Sequence, residues 1–150
     1  MRFIAKSFIA LLTCIVMSSL VLGATAETAS ALTSTKSVKV MDKAAHYKGV
    51  KYKWGGTTPK GFDCSGYTQY VFEKSIHKKL GRTAGDQARQ GHDVNKSDKK
   101  KGDLIVFYNG SGYYHVGIYA GHNKIWHSPR PGKKVSKETI WTSKYKVRRI

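Results

Sequence analysis

The chemistry that this sequence suggests centres on one thiol. Cys64 follows Asp63, a residue type that caps helices well, and Tyr67, Tyr70 and Val71 continue at helical spacing. A helix N-terminus favours negative charge, so a thiol at this position should ionise more readily than a free one. It still needs a base to take its proton at neutral pH. The pattern therefore predicts a helix over residues 64–75 with Cys64 as a nucleophile and a histidine as its partner.

Two of the six histidines are candidates for that partner. His115 and His127 lie in apolar segments of strand character, whereas the other four lie in polar, turn or helix-surface contexts. A three-residue turn at 121–123 would place both on one face of a hairpin, but a two-residue turn would separate them. On one face, His115 would act as the base and His127 would orient it. The alternative is a pair of core histidines that bond to backbone carbonyls.

Zinc binding is a competing interpretation of the same three residues. Cys64, His115 and His127 are all residue types that bind zinc. However, the sequence has no closely spaced Cys-x-x-Cys or His-x-x-x-His pair. The spacing therefore favours nucleophilic chemistry, and we expect neither a metal nor another cofactor.

The first residues have the pattern of a secretory signal. Arg2 and Lys6 form a short positive region ahead of a mostly apolar segment, residues 7–23. Ala24-Thr25-Ala26 then fits a small-x-small cleavage site. The apolar run is short for a membrane span, which needs about 20 residues. It also continues past Cys14, where a lipoprotein signal would end. We predict a signal peptide at residues 1–26, no membrane anchor after cleavage, and a secreted, cell-wall or periplasmic location.

Cleavage of this signal would change both the cysteine content and the charge. Cys64 would remain as the single cysteine, so no disulfide within the mature chain could involve it. The chain has 27 basic and 9 acidic residues and a net charge of +18; loss of Arg2 and Lys6 leaves 25 basic residues and a charge of +16. Such a charge indicates polyanionic surroundings. For an exported protein we expect anionic cell-wall polymers rather than nucleic acid, although a basic surface that only aids solubility is the alternative.

The remaining patterns predict one α+β domain at residues 37–150. Residues 27–36, rich in Ala, Ser and Thr, are predicted to form a flexible leader. A helix should begin at Ser37 and stop near Gly49, with Val38, Met41 and Ala45 at helical spacing and Ala44 beside them. A short helix at 83–89 and strands at 103–108, 113–120, 124–127 and 145–150 should follow. Helices followed by consecutive strands indicate an antiparallel sheet, and we expect a monomer.

Five motifs, in order, resemble the NlpC-type cell-wall peptidases. They are residues 52–56 (Tyr-Lys-Trp-Gly-Gly), 61–66 (Gly-Phe-Asp-Cys-Ser-Gly), 101–104 (Lys-Gly-Asp-Leu), 115–119 (His-Val-Gly-Ile-Tyr) and 127–129 (His-Ser-Pro). The resemblance covers roughly residues 40–150. It implies a papain-like α+β fold in which the cysteine helix packs on an antiparallel sheet. It also implies hydrolysis of peptidoglycan stem peptides at the bond from γ-D-glutamate to the diamino acid.

The resemblance also assigns roles to individual residues. By position, Cys64 matches the nucleophile, His115 the base and His127 the third polar residue of the catalytic set. Asp63 and Ser65 match positions that hold the amino end of the stem peptide. The remaining match, Tyr52, corresponds to a tyrosine near the nucleophile.

Two other functions are compatible with parts of this sequence. A CHAP-type amidase also uses Cys and His but cuts where the stem peptide joins the sugar. A non-catalytic cationic module that binds the cell wall or nucleic acid would account for the charge alone. The chain also departs from the family at residues 81–83, where Gly-Arg-Thr replaces the common Pro-Arg-Thr, and at 108–114, where an aromatic turn is inserted. These departures bear on substrate preference.

Overall fold

The computed structural model describes the backbone of residues 26–150, together with the side chains of Thr28, Ala31 and residues 34–150. The predicted signal peptide lies outside the described residues, apart from Ala26 at its end. Within the described part, no helix combines the length and apolar character needed to cross a bilayer.

Three α-helices precede the main strands of the described chain. They are α1 (Ala26–His46), α2 (Cys64–Ile76) and α3 (Ala84–Gln87), and a 3-10 turn covers Lys96–Asp98. Helix α2 begins at the predicted residue, because the Asp63 side chain caps its first turn. The chain leaves α1 through a turn that ends at Gly49, whose φ of +88° suits glycine. The predicted helix stop near Gly49 is confirmed.

Helix α1 differs from the prediction in its start. It begins at Ala26, so the stretch 27–36, predicted to be a flexible leader, is helical in this structure. The segment contains no glycine or proline, so it has no strong helix breaker and can continue the helix in the N-terminal direction. Where the folded domain begins remains a prediction.

The buried face of α1 agrees only in part with the predicted stripe, since Met41 packs against the core but Val38 and Ala45 do not. Val40 and Ala44 are 2% and 0% exposed, whereas Val38 is 56% exposed and Ala45 is exposed. The reason is the position of α2, whose Tyr67 hydroxyl donates a hydrogen bond of 2.8 Å to the carbonyl of Ala44. That contact turns the Val40–Ala44 side of the helix towards the core.

The strands form a small hairpin and one larger antiparallel sheet. The hairpin joins β1 (Thr57–Thr58) to β2 (Gly61–Phe62). The sheet has the order β3-β8-β4-β5-β6-β7, and its strands are β3 (His92–Val94), β4 (Leu104–Asn109), β5 (Gly112–Gly121), β6 (Lys124–His127), β7 (Ser136–Thr139) and β8 (Tyr145–Arg149). The α+β prediction is confirmed. The edge strands β3 and β7 were not predicted, because their mostly exposed, polar residues lack the apolar alternation of a core strand.

The sheet packs a different hydrophobic cluster on each face. The helices cover one face through Leu104, Val106, Val116, Ile118 and Trp126. The other face carries Ile105, Phe107, Ile125, Ile140, Tyr145 and Val147. Since side chains alternate along a strand, His115, which pairs with Phe107, lies on this second face.

The turn between β5 and β6 contradicts the three-residue turn suggested by the sequence. Gly121 pairs with Lys124, so the loop contains only His122 and Asn123. Both have positive φ, 49° and 55°, as a type I′ hairpin turn requires. Taken alone, this two-residue turn would put His115 and His127 on opposite faces.

A β-bulge restores the shared face. Tyr119 pairs with Ile125, but the next pair towards the turn is Gly121 with Lys124, so Ala120 is an extra residue on β5. One extra residue reverses the alternation beyond it. His115 and His127 therefore lie on the same face after all, by a different device from the one predicted.

Candidate active site

The start of α2 is held against a glycine loop. The Asp63 carboxylate accepts a hydrogen bond of 2.7 Å from the Gly66 N–H, and the Asp63 N–H donates to the Gly56 carbonyl at 3.0 Å. A Cβ on Gly66 would lie only 2.0 Å from that carbonyl oxygen. Glycine at 66 is therefore needed for the close approach that sets the position of Cys64.

Helix α3 braces the same turn from the other side. Gln87 is fully buried and its amide group bonds to the Thr68 hydroxyl at 2.6 Å and the Ser65 carbonyl at 2.9 Å. A capping box between Thr83 and Asp86 defines where α3 begins. No local sequence pattern marks Gln87, because its role depends on contacts between distant segments.

Cys64 meets the sheet at β5. Its half-buried thiol lies beside the backbone N–H of Val116, the residue after His115. The end of β6 reaches the same region, because the buried Ser128 hydroxyl donates to the Phe62 carbonyl at 2.8 Å. These contacts bring the segments that carry Cys64, His115 and His127 to one place.

The two histidines bond directly to each other. His115 Nε2 lies 2.9 Å from His127 Nδ1, and the residues are 7% and 2% exposed. This leaves Nδ1 of His115 as the nitrogen available for a proton from the thiol. Among the described residues, no hydrogen bond joins His115 to Cys64; such contacts often tighten only when substrate binds.

Gly117 makes the histidine pair possible. Extending the register beyond the Ile118–Trp126 pair places it opposite His127, and a Cβ there would be 2.8 Å from Ile125 Cδ1 and 3.2 Å from His127 Cβ. The glycine leaves room for the His127 ring to approach β5 and reach His115 diagonally across the two strands.

The titration behaviour of the site favours uncharged groups. Burial, together with the neighbouring His127, lowers the pKa of His115 to about 3. Burial, with the charge of Asp63, raises the pKa of Cys64, although the N–H groups of Val116 and Ser65 oppose this. The expected acidification by the helix N-terminus is therefore outweighed. The resting site holds a neutral thiol and neutral imidazoles.

A polar cluster flanks the thiol on the side of α2. Arg82 pairs with the Asp63 carboxylate and donates to the Ser65 hydroxyl at 3.1 Å, while the Gly55 N–H donates to Asp63 at 3.0 Å. Tyr52 lies close enough to feel their charges. Burial raises the pKa of Tyr52, and the neighbouring charges of Cys64 and Asp63 raise it further. The structure thus groups the three predicted substrate-contact residues and adds Arg82. Arg82 lies in the segment 81–83, where the sequence departs from the family pattern.

A sequence model of the NlpC/P60 family matches residues 49–149 of the chain. The chain belongs to the NlpC/P60 family. The resemblance and the papain-like α+β fold inferred from the sequence are confirmed.

Relatives of this NlpC/P60 protein include proteins of known name. The murein DD-endopeptidase MepS/murein LD-carboxypeptidase of Escherichia coli (strain K12) is 40% identical over 116 residues, which are 75% of this chain and 62% of that protein. The gamma-D-glutamyl-L-lysine dipeptidyl-peptidase of Bacillus subtilis (strain 168) is 38% identical over 109 residues, 71% of this chain and 36% of that protein. This chain therefore spans less than two thirds of the length of these curated relatives.

A solved structure gives the same result for the fold. The NlpC/p60 domain of the peptidoglycan hydrolase SagA superposes with a TM-score of 0.71 at 31% identity, covering 76% of this chain and 98% of that domain. The similarity therefore extends over nearly the whole of that solved domain.

An aromatic rim covers the histidine pair of this NlpC/P60 protein. Trp141 stacks on Phe107 with ring centroids 4.2 Å apart, and its ring lies 5.5 Å from His115 and 5.6 Å from His127. The indole is 49% exposed, so it stands between the imidazoles and solvent. Trp141 was not predicted, because it lies in a loop far from both histidines in sequence.

The described residues contain no group of three or more His, Cys, Asp or Glu side chains arranged to hold a metal ion. The two histidines instead use their facing nitrogens on each other. The geometry is thus that of a thiol beside a linked pair of imidazoles.

Proposed function

We propose that this protein is an exported peptidoglycan hydrolase that cleaves stem peptides at the γ-D-glutamyl–diamino-acid bond. The observation that supports this most strongly is the pair of histidines, His115 on β5 and His127 on β6, joined at 2.9 Å in a chain of the NlpC/P60 family whose Cys64 thiol lies beside β5. A nucleophile, a base and a group that orients the base are the three parts that acyl transfer by a thiol requires.

The proposed reaction has two halves. His115 takes the thiol proton on Nδ1 while the Cys64 sulfur attacks the amide carbonyl, and a backbone N–H near Cys64 stabilises the oxyanion. His115 then gives its proton to the leaving amine as the C–N bond breaks, which leaves a thioester. Water attacks the thioester with His115 as base, and this releases the carboxylic acid and the free thiol.

The neutral resting pair suits this sequence of steps. Since burial raises the pKa of Cys64 and lowers that of His115, little charge is separated before substrate arrives. Proton transfer and attack on the carbonyl should therefore occur together. His127, bonded to Nε2 of His115, would stabilise the imidazolium as it forms.

The polar cluster is the proposed site for the amino end of the stem peptide. Asp63, Ser65 and Tyr52 supply carboxylate and hydroxyl oxygens, which are acceptors for an ammonium group. Arg82 pairs with Asp63 and bonds to Ser65, so it holds both side chains in place and reduces the net negative charge. We propose that, because Arg82 offsets part of the Asp63 charge, the cluster binds a ligand with one ammonium group better than a ligand with several positive charges.

The cleaved bond can be identified from the products of a muropeptide digest. Cleavage at the γ-D-glutamyl bond should release fragments that end in D-glutamate, measured by mass spectrometry, and a Cys64→Ala preparation should release none. The Escherichia coli relative is named as a DD-endopeptidase, so loss of cross-linked dimers without such fragments would indicate that specificity instead. Intact stems freed from sugar would indicate an amidase. Either result would contradict the proposed bond.

We further propose that the basic surface binds anionic cell-wall polymers. Basic side chains cluster around a cavity of about 960 Å³ at the end of β5, and His115 is not among the residues that line it. Lys36, residues 99–101 and Arg149 line it. Among the described lining residues the one acid is Asp103, which Arg149 holds at 2.8 Å. The lysine charges therefore remain available to a polyanion.

Salt and charge reversal test this surface separately from catalysis. Binding of the Cys64→Ala protein to purified walls should weaken steeply as salt rises, because the contacts are ionic. Changing Lys99, Lys100 and Lys101 to Glu should reduce binding more than changing three exposed lysines elsewhere, Lys133, Lys134 and Lys144. The two triple variants have the same net charge. Equal losses, or binding that salt does not alter, would refute a localised wall-binding surface.

A further inference from the structure

We propose that Glu138 is a positioning residue that determines which nitrogen of His127 carries its proton, and through it which nitrogen of His115 is free to accept one. The catalytic part of this inference rests on the proposed cysteine-peptidase function. Glu138 lies on β7, an exposed edge strand whose polar sequence lacks the alternation of a core strand.

The register of the sheet places Glu138 on the face of the histidines. In the ladder between β6 and β7, Ile125 pairs with Glu138 and His127 with Ser136. Side chains two residues apart share a face, so Glu138 lies on the same side as His127. Its neighbour Lys137 lies on the other face, where its ammonium approaches the Trp126 ring at 5.6 Å.

The contact between the two side chains is direct. Glu138 Oε2 lies 3.4 Å from His127 Nε2, and the other carboxylate oxygen accepts a hydrogen bond of 2.7 Å from the Ser136 hydroxyl. His127 is 2% exposed, and within the part of the chain that the structure describes its Nε2 has no partner at hydrogen-bond geometry, so Glu138 approaches it only at ion-pair distance. A buried ring nitrogen without a full partner is costly, so the nearby carboxylate is its natural acceptor.

The proton positions then follow along the chain of contacts. A carboxylate can only accept, so His127 must carry its hydrogen on Nε2 to face Glu138. Its Nδ1 is then an acceptor for a hydrogen on His115 Nε2 across 2.9 Å. This leaves Nδ1 of His115 unprotonated, which is the form that can take the Cys64 proton. The opposite tautomers would leave His115 protonated on Nδ1 and unable to act as the base.

Glu138 is suited to this task because it is charged and held. The Ser136 hydroxyl, then His127 and Arg130, lower the pKa of Glu138, so it is a carboxylate at neutral pH. The charged and titratable groups that face His127 are His115 on β5, Glu138 on β7 and, through Glu138, Arg130. Glu138 is the one among these that favours a proton on Nε2 of His127.

The test compares Glu138→Ala and Glu138→Gln with Thr139→Ala, a change at the next exposed position on the same edge strand. For Glu138→Ala we expect kcat to fall about ten- to a hundredfold with KM nearly unchanged, by analogy with the loss when the carboxylate partner of a metal-ligating histidine is removed. Glu138→Gln keeps an acceptor oxygen without the charge and should fall less. Thr139→Ala should behave as the parent.

A second measurement reads the tautomers without any substrate. In ¹⁵N NMR at neutral pH, the parent should carry the hydrogen on Nε2 in both His115 and His127. Glu138→Ala should shift both rings towards the Nδ1–H form, and Thr139→Ala should not. Glu138→Gln serves as the fallback if the alanine variant does not fold.

The two readouts separate failure of this inference from failure of the proposed function. Unchanged tautomers, or changed tautomers with parental kcat, would overturn the positioning role. If the parent hydrolyses no muropeptide but Glu138→Ala still moves the tautomers, the proton arrangement stands and the proposed reaction is wrong.

Discussion

Replacing Cys64 by alanine should abolish hydrolysis of peptidoglycan by this protein. We expect kcat to fall by about 10⁴-fold or more, since loss of a nucleophile removes the covalent route and leaves only binding and the oxyanion site. The side chain is half-buried, and alanine leaves the Asp63 cap of the helix in place, so the fold should be retained. Release of soluble muropeptides from purified walls measures the effect.

A second variant, at the proposed base, tests whether Cys64 and His115 act together. His115→Ala should cost nearly as much activity as Cys64→Ala, and the double variant little more than either, because the two groups act as one unit. Circular dichroism and thermal unfolding would show that each variant is folded. If Cys64→Ala released muropeptides at the parental rate, the catalytic function proposed here would be wrong.

Acid should destabilise the fold through His115. Its pKa is about 3 in the native protein against an ordinary value of 6.5. Between these values the unfolded chain binds a proton that the native state excludes. The effect of His115 on the free energy of unfolding is therefore absent above about pH 6.5, and the free energy of unfolding decreases as the pH falls towards 3. One pKa unit corresponds to about 1.4 kcal/mol, so the loss from this residue is on the order of 4 kcal/mol near pH 3.

Urea unfolding at several pH values between 7 and 3 measures this loss. Carboxylates with lowered pKa values, among them Asp86 and Glu138, also lose stabilisation in acid, so the parent alone is not decisive. His115→Gln removes the buried imidazole and should make the pH dependence shallower by several kcal/mol. His92→Gln, at an exposed position, should leave it unchanged. Parallel curves for the parent and His115→Gln would show that burial does not hold His115 neutral.

The neutral state of His115 also links stability to the proposed chemistry. The burial that disfavours the imidazolium in the resting protein must be offset when His115 accepts a proton during the reaction. His127 contacts the ring at 2.9 Å, and the Glu138 carboxylate lies behind it at 3.4 Å. A carboxylate at the end of this series favours positive charge on the imidazoles, so strand β7 would contribute to the proposed reaction through Glu138.

Much of the site was predictable because its signals are local. Asp63 before Cys64 is a capping pattern, and the helix begins there because the cap satisfies its first N–H groups. The apolar context of His115 and His127 indicated buried strand positions, and both are buried on β5 and β6. Family membership also follows from short motifs in order, and the family match confirms it.

Other features could be decided only by the tertiary structure. The histidines share a face because a bulge at Ala120 compensates for a two-residue turn, and neither residue counting nor periodicity reveals a bulge. Arg82 and Trp141 reach the site from loops, since only the folded chain brings those loops beside Asp63 and the histidine rings.

The sequence by itself determined the helix start at Cys64, the antiparallel α+β class and the family. The register, the edge strand that carries Glu138 and the burial that holds His115 neutral were decided by packing between distant segments. The physical reason is the range of the interactions. Caps and strand patterns depend on residues within a few positions, whereas desolvation and cross-strand contacts depend on every segment that closes over the site.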